Sequence, residues 1–520
     1  MASLIPETAQ KVAFTAETLR SLAKQSDGIH LIPLRLRRAI KRYIREKEQP
    51  HMRRSVLRLS ESFNKIKQAN NQLVTTTSNE LIQDSMGKSI DRAQRWKICT
   101  SYGDTGLKYR DDETVAYVAS RMPSVYSACY RVLKEVRRRL PGFAPTSVVD
   151  FGSGTGSAMW AIREVWPHSL KKINFVEPSK SMQRACQSLF QGQKDLPLIH
   201  SYDSIQALSK NLQKSDREHD LVIASYVLGE VPSLKDRITV VRQLWDLTRD
   251  VLVLVEPGTP QGFNIISRMR SYILWMEKRK CRKFDALDHT CKDLVSTKCG
   301  AFVVAPCAHD GACPLAKGGK YCHFVQRLER TSTQRSYKKS KGQQQLRGFE
   351  DEKFCYVVLR KGQRPRQVPL SQNPWPLDGM KFDTLKEQLA KRNPEDLVID
   401  YEDLIKHGYG NPVISSCEEE DPVSYASDLT ETDALIEVNE ESEEEEEEED
   451  GVGQADLGSG WGRIIFSPVR RGKHVTIDVC RSTKSDGSEG AYERMIITKS
   501  DNPTLHGQAR KSLWGDLWPY

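Results

Sequence analysis

The sequence predicts an α/β fold built on an open, largely parallel sheet, and three observations predict it. The first is Thr146-Ser-Val-Val-Asp-Phe-Gly-Ser-Gly-Thr-Gly156. It holds a short apolar strand at Val148-Val149, an acid at the strand's end, Asp150, and a turn of glycines at Gly152, Gly154 and Gly156; an amphipathic helix from Ala158 to Trp166 follows. Glycine lets a backbone turn sharply and approach a ligand with no Cβ in the way. The second is Lys172-Ile-Asn-Phe-Val-Glu177, a strand ending in an acid about 20 residues past the glycines, where a carboxylate binds ribose hydroxyls. The third is a pair of apolar runs, Asp220 to Leu228 and Val251 to Glu256, uniform enough to be buried on both faces as parallel strands are.

The spacing GxGxG is shorter than the GxGxxG that cradles a pyrophosphate. It favours a ligand without one, and S-adenosylmethionine is the usual ligand of that kind. Asp150, Gly152, Gly154, Gly156 and Glu177 are the candidate cofactor residues. Asp203 joins them, because its turn after a third strand at Leu198-Ile199 suits an adenine amine. A plain tight turn is the alternative for the glycines, and an idle surface turn is the alternative for Asp203. Ser225-Tyr226 and Glu256 fall at strand ends on the same edge. Two further strands, Gly300 to Ala305 and Lys353 to Leu359, would finish the sheet as a hairpin.

The chain has 520 residues, enough for several cores, and no apolar run approaches the ~18 residues of a membrane span. Its net charge of +9 hides a split: 18 acids between Glu418 and Asp450, with no Lys or Arg among them, leave the remainder at +27. A body so basic points to a polyanion, most simply nucleic acid. The first basic cluster lies in 33–58. Leu36, Ile40 and Ile44 recur at helical spacing there, and Arg37, Arg38, Lys41, Arg42 and Arg45 form the flank that suits RNA phosphates. A solvated helix face is the alternative. Pro50 should break this helix before a second one over 52–71. Residues 111–140 read as one helical region, capped by Asp111 or Asp112 and kinked or divided by Pro123. The basic, polar stretch 327–347 reads as a loop on a phosphate surface or as disorder.

Between the two hairpin strands lie Cys307-x5-Cys313-Pro and Cys322-His323. Zinc sites usually take close C-x2-4-C pairs from one tight turn, and this segment has none. Its wider spacing, its glycines and the Pro after Cys313 better suit thiolates around an iron–sulfur cluster. Zinc and unligated thiols stay open, and the fourth ligand lies among Cys480, Cys355, Cys299 and His323. Twelve cysteines without a disulfide pattern read as a reducing compartment. After the acidic run, which is disordered by composition, three strand-like segments at 463–467, 474–480 and 492–499 suggest a small β domain. Trp514 and Trp518 must pack somewhere beyond it.

Taken together, Tyr117 through Arg121-Met-Pro, Phe143 through Gly156, Glu256-Pro-Gly-Thr-Pro-x-Gly-Phe263, Cys307-x5-Cys313-Pro, the Cys480 strand and Trp514-Gly-Asp-Leu-Trp518 resemble one family. It is the methyltransferase-like family of mitochondrial small-subunit ribosome assembly factors, which has bacterial relatives. The likeness covers roughly residues 100 to 520 without the acidic insert. It implies a class I (Rossmann-like) methyltransferase sheet with a helical N-terminal region, a cysteine-rich metal insertion and a small C-terminal β domain. It implies bound S-adenosylmethionine and a 4Fe-4S cluster. The partners it implies are small-subunit rRNA and ribosomal proteins of the assembling mitochondrial small subunit, met in the mitochondrial matrix by a monomer that touches no membrane. Cys480 occupies the cysteine position of the family's C-terminal strand motif and ends a strand, so it is expected to join Cys307, Cys313 and Cys322 as ligand. Cys355 is the rival, inside a strand where a buried apolar thiol is the plain expectation. The acidic insert departs from the family, as does an N-terminus with Lys11 and Arg20 set against Glu7 and Glu17.

The expected organisation is a basic helical region (1–110), a methyltransferase-like domain (111–362) carrying the cysteine-rich insertion (306–350), a linker with a short helix (363–417), the acidic insert (418–456) and the β domain (457–520). Base amino methylation commonly uses an Asn/Asp/Ser-Pro-Pro-aromatic turn after the fourth strand. Here that turn reads Ala224-Ser-Tyr-Val227, without prolines. Methylation at a pyrimidine carbon needs a cysteine nucleophile, and the ends of the fourth and fifth strands carry none. Glu230 and Glu256 remain as candidate bases, and catalytic residues are left unassigned. The reading is an rRNA-binding assembly factor that keeps the fold and cofactor without methyl transfer. An active rRNA methyltransferase of the small subunit is the alternative.

Overall fold

The structure, a computed structural model, describes residues 23–59, 109–287, 300–364, 399–400 and 462–518, with short gaps inside these ranges. Nine strands form the main sheet: β1 (Ile29–His30), β2 (Ser147–Phe151), β3 (Lys172–Val176), β4 (Leu198–Tyr202), β5 (His219–Ser225), β6 (Thr248–Pro257), β7 (Ala301–Ala305), β8 (Phe324–Glu329) and β9 (Phe349–Lys361). They run in the order β1-β8-β9-β6-β5-β2-β3-β4, with β7 also on β9. The five strands from β4 to β6 are parallel, and β9 returns antiparallel to β6. The predicted closing pair is present as β7 and β9. At 13 residues β9 is long enough to pair β7 through its C-terminal part and β8 through its N-terminal part.

Burial on both faces explains the apolar runs. Val148, Leu221, Ile223, Val251 and Val253 enter one core cluster, while Val149, Val222, Ala224, Leu252 and Leu254 enter the other. Neighbouring residues of a strand point to opposite faces, so a strand covered on both sides has no polar positions to spare. The first face is covered by α1 (Leu34–Lys47), α2 (Asp111–Ser120), α3 (Met122–Arg139) and α4 (Ser157–Val165). α5 (Lys180–Phe190) also packs into the first cluster, and the second face carries α6 (Ile205–Asn211), α7 (Leu234–Asp246) and α8 (Pro260–Leu287). The stripe expected in α1 is buried as Leu36, Ile40 and Ile44, joined by Ala39 and Tyr43. Pro123 divides the 111–140 region as expected: Arg121 ends α2, and the proline sits in the first turn of α3, where its missing N–H costs nothing.

Two local expectations are corrected. Helix α2 is capped at Arg110, whose backbone N–H donates to Glu113 Oε2 at 3.0 Å; Asp111 and Asp112 instead bind Arg184 and Arg58. The basic stretch at 327–347 is described over 327–338, and that part is regular structure. It contains part of β8 and α9 (Ser332–Lys338), and three of its cations pair with acids of β9: Arg327 with Asp351, and Arg330 and Lys338 with Glu350. The acids sit on the strand paired with β8, a proximity that sequence distance hides.

The second sheet contains β10 (Ile399–Asp400), β11 (Gly462–Ile464), β12 (Val469–Arg471), β13 (His474–Ser482), β14 (Gly490–Thr498) and β15 (Leu517–Trp518), all antiparallel, with α10 (Pro503–Lys511) packed on it. Trp518 is fully buried here, and Trp514 meets the His323 ring edge-on at 4.4 Å. The N-terminal stretch with Lys11 and Arg20, the second basic helix beyond residue 59, the short helix of the linker and the acidic run lie outside the described residues. Among the described residues no helix is long and apolar enough to cross a membrane. Seven described cysteines are free, whereas Cys281 on α8 is disulfide-bonded, unlike the uniformly reduced thiols expected.

Candidate functional site

The glycine turn between β2 and α4 requires its glycines. Gly152, Gly154 and Gly156 have φ of +69°, +51° and +84°, which L-residues with a Cβ rarely adopt. At Gly156 a Cβ would also stand 2.8 Å from Cys186 Sγ and from the Phe190 ring, whereas at Gly154 it would meet only the Gly152 carbonyl oxygen, at 3.9 Å. Glu177, at the end of β3, accepts hydrogen bonds from the N–H groups of Gly154 and Ser179, each at 2.9 Å. Burial pushes its carboxyl up to about 7 against these two donors. Asp150 is fully buried, and neither carboxylate oxygen has a hydrogen-bond partner; burial, then the nearby Glu177, push it up to about 8. Beside the turn opens a cavity of about 710 Å³ lined by Gly152, Gly154, Glu177, Tyr226, Glu230 and Glu256, among others. Its place, outside the carboxyl ends of parallel strands, is where open α/β sheets take ligands. Asp203 stands apart from this cavity. It is exposed and binds Lys180 Nζ at 2.5 Å and Gln183 Nε2 at 3.0 Å.

The opposite wall holds a pair, Arg121 and Glu352, to which the sequence reading gave no role. Arg121 grips Glu352 with two hydrogen bonds of 2.5 and 2.7 Å and lies 5.1 Å from the centre of the Tyr226 ring. The Tyr226 hydroxyl donates to Glu352 at 2.7 Å, and its backbone is held at φ +58°, a strained value for an aromatic residue. Tyr109 donates to Glu230 at 2.9 Å. Arg121 and Glu352 are 231 residues apart in the chain, so no local pattern signals the pair.

A second cavity, of about 40 Å³, lies between the two sheets. It is lined by Cys307, Cys313, Cys322, Cys355 and Cys480, with Arg270 and Arg463 also on its wall. That is room for more than one water at about 10–15 Å³ each. The insertion and strand β13, which are 158 residues apart at their nearest cysteines (Cys322 and Cys480), thus meet at one point. The thiols are not equivalent. Cys355 donates to the backbone carbonyl of Cys322 at 3.2 Å, while Cys480 Sγ lies 3.5 Å from His309 Nε2. Burial, then the neighbouring cysteines, push Cys322 and Cys480 well above the ordinary thiol range. A shared metal would remove that mutual repulsion, because ligation requires the thiolate. Among the described residues no group of three or more His, Cys, Asp or Glu side chains is arranged to hold a metal ion. His323, the non-thiol candidate, is stacked on Tyr321 at 4.6 Å and absent from the cavity wall; Cys299 lies outside the described residues.

The basic helix α1 is partly committed to the fold. Arg37 donates to the Ile32 carbonyl at 2.8 Å and pairs with Glu329, and Arg42 donates to the carbonyls of Ser188 and Gln191 at 2.9 and 2.8 Å. Arg38, Lys41 and Arg45 are exposed.

Five parallel strands in the order β4-β3-β2-β5-β6, an antiparallel β9–β7 pair at the far side and a glycine turn after β2 define a class I methyltransferase fold, with a thiol-lined cavity added. The strand order itself carries this assignment. The chain belongs to the mitochondrial small ribosomal subunit Rsm22 family, whose sequence model matches residues 111–375 and 418–519. It is 31% identical over 279 residues to the human mitochondrial ribosome assembly protein METTL17, covering 53% of this chain and 54% of that one. It is 26% identical over 418 residues to Rsm22-cox11 tandem protein 2, mitochondrial, of Schizosaccharomyces pombe, covering 79% and 43%. The chain therefore spans about half the length of these curated relatives. Among solved structures, a putative RNA methyltransferase, PH1948 of Pyrococcus horikoshii, aligns with a TM-score of 0.26 at 13% identity, over 45% of this chain and 83% of that one.

Proposed function

We propose that this chain is a mitochondrial assembly factor of the small ribosomal subunit that binds rRNA, holds S-adenosylmethionine beside its glycine turn and does not transfer the methyl group. The observation that carries the reading is the contrast between the two sides of one cavity. The ligand side keeps Gly152, Gly154 and Glu177. The side an acceptor would use carries Tyr226, tied by its hydroxyl to the Arg121–Glu352 pair. Gly156 sets the turn and Asp150 offers buried acceptors close to it, whereas Asp203, held by Lys180 outside the cavity, is left out of the ligand contacts. RNA contact is assigned to exposed Arg38, Lys41 and Arg45, with Arg37 and Arg42 supporting the helix that presents them. A map of methylated small-subunit rRNA positions with and without the protein tests the reading. No mark should disappear. A lost mark that a Gly154→Arg substitution also abolishes would make the protein an enzyme.

The thiol cavity is proposed to hold a 4Fe-4S cluster on Cys307, Cys313, Cys322 and Cys480. The residues suit it. The four thiols share the wall of one cavity, and thiolates are the ligands an iron–sulfur cluster takes. Arg270 and Arg463 offer positive charge to thiolates, and Cys355 already spends its thiol on a backbone carbonyl. When bound, the cluster would supply a covalent staple between the insertion and the small sheet. Iron and sulfide analysis after anaerobic purification is the test. Cys307→Ser, Cys313→Ser, Cys322→Ser and Cys480→Ser should each lose iron, and Cys355→Ser should keep it. Full iron in Cys480→Ser, or stoichiometric zinc without sulfide, overturns the assignment.

A further inference from the structure

A third cavity, of about 750 Å³, lies against β4, the edge strand at the far end of the main sheet from β1. Its size suits one small organic group. Phe175, Phe190, Leu196 and Ile199 give it an apolar lining, and Leu196 is 38% exposed. Gln183, Gln187 and Gln191 recur every four residues, so α5 and the residue after it turn three amides along one side. Gln183 is held by Asp203 at 3.0 Å, whereas Gln187 and Gln191 are exposed. Ser201 of β4 adds a hydroxyl. Arg184, also on the wall, pairs with Asp111 at 2.8 Å, and among the described residues no acid lines the cavity.

The cavity borders the cationic face of α1. Arg38, Lys41, Arg42 and Arg45 fall at i, i+3, i+4 and i+7 and so share that face. Arg42 donates to the carbonyls of Ser188 and Gln191, two residues of the cavity wall, which sets the face along the rim. Seven cations against one acid, Glu46, with Arg37 paired to Glu329, leave α1 strongly positive and suited to a polyanion. We propose that the cavity takes a nucleobase from single-stranded RNA whose phosphates run along Arg38, Lys41 and Arg45. The proposal rests on the rRNA-binding reading above and adds which form of RNA is recognised. Every base has a face that stacks on apolar side chains, and its edge carries donors and acceptors that a glutamine amide matches. In a duplex those faces are stacked and the bases paired, so a duplex presents only its phosphates here. A single strand offers both, and a base seated on apolar side chains adds about tenfold or more to the affinity.

The test measures the affinity of the full chain, at one fixed salt concentration, for three probes: a short single-stranded RNA, the same strand stripped of its bases, and an RNA duplex. The intact single strand should bind at least about tenfold more tightly than the abasic one. Gln187→Ala combined with Leu196→Ala changes no charge and alters only exposed residues of the cavity. It should close most of that gap and leave duplex binding unchanged, which also shows the variant to be folded. Lys41→Glu should weaken binding of all three probes. Equal affinity for the two single strands in the unaltered protein, a gap that survives in the double variant, or unchanged binding by Lys41→Glu overturns the proposal and leaves the RNA reading standing. Binding of none of the three overturns the RNA reading itself, and the proposal with it.

Discussion

Arg463 of β11 joins the small sheet to the core, and its loss should be felt across both. Its guanidinium is only 2% exposed; it pairs with Glu135 of α3 and donates to the carbonyls of Gly515 at 2.7 Å and Pro306 at 3.2 Å. Glu135 also receives Arg139 at 2.9 Å and the Tyr356 hydroxyl at 2.6 Å. Burial alone would raise the Glu135 carboxyl. Arg463 and Arg139 outweigh it and bring the group from 4.5 down to about 2. At about 1.36 kcal/mol per pH unit, that drop corresponds to roughly 3 kcal/mol of interaction. Removing one partner of a buried pair costs about 3–5 kcal/mol. Because Arg139 and Tyr356 remain on Glu135, Arg463→Met should fall near the lower bound, about 3 kcal/mol. Urea unfolding followed by tryptophan fluorescence reads this directly, since Trp518 is buried in the small sheet. In a double-mutant cycle Arg463→Met and Glu135→Gln should couple by at least about 1 kcal/mol. A loss below about 1 kcal/mol in the single variant, or additive effects in the cycle, would refute the reasoning.

The same carboxylate makes stability depend on pH. Its folded value lies below its unfolded one, so its contribution is complete above about pH 4.5 and is lost as pH falls toward about 2; acid titration of unfolding should show this decline in the unaltered protein and a shallower one in Arg463→Met. Gly156→Ala combines φ +84° with contacts at 2.8 Å and should cost about 2 kcal/mol; an unchanged melting temperature would count against the packing described. Removing the proposed cluster should weaken binding at the proposed S-adenosylmethionine site severalfold, because β9 presents Glu352 and Lys353 to one cavity and Cys355 and Tyr356 to the other, and α8 likewise lends Gln261 to the first and Arg270 to the second; identical affinities before and after chelation would mean independent sites. Affinity for small-subunit rRNA should fall with salt at a log–log slope of about −0.9 per duplex phosphate neutralised, and charge reversal of Arg38, Lys41 and Arg45 should flatten it; a salt-independent wild type would contradict the assigned interface.

Much of the candidate site was legible because it is local. Gly152, Gly154, Gly156 and Glu177 lie on one strand–turn–helix–strand unit, and the backbone conformation that demands glycine is written into the spacing. The stripe of α1 and the division at Pro123 were legible for the same reason. What stayed hidden depends on pairing across the sheet. The stretch 327–347 looked like a loop because its cations are plain in the sequence, while the acids that match them, Glu350 and Asp351, sit on the strand opposite. Asp203 was read from its place after β4, yet its side chain turns to Lys180 on the neighbouring helix.

By itself the sequence determined the strand order's raw material, the glycine turn, the acid after β3 and the set of cysteines, since each follows from local backbone sterics, two-sided burial or the identity of a side chain. Only the tertiary structure decided which distant residues share a wall. It brought Cys480 beside Cys307, Cys313 and Cys322, gave Arg463 its buried acid and set Arg121–Glu352 against Tyr226. Those contacts join segments more than a hundred residues apart, and the packing of strands and helices, which no local pattern encodes, is what brings them together.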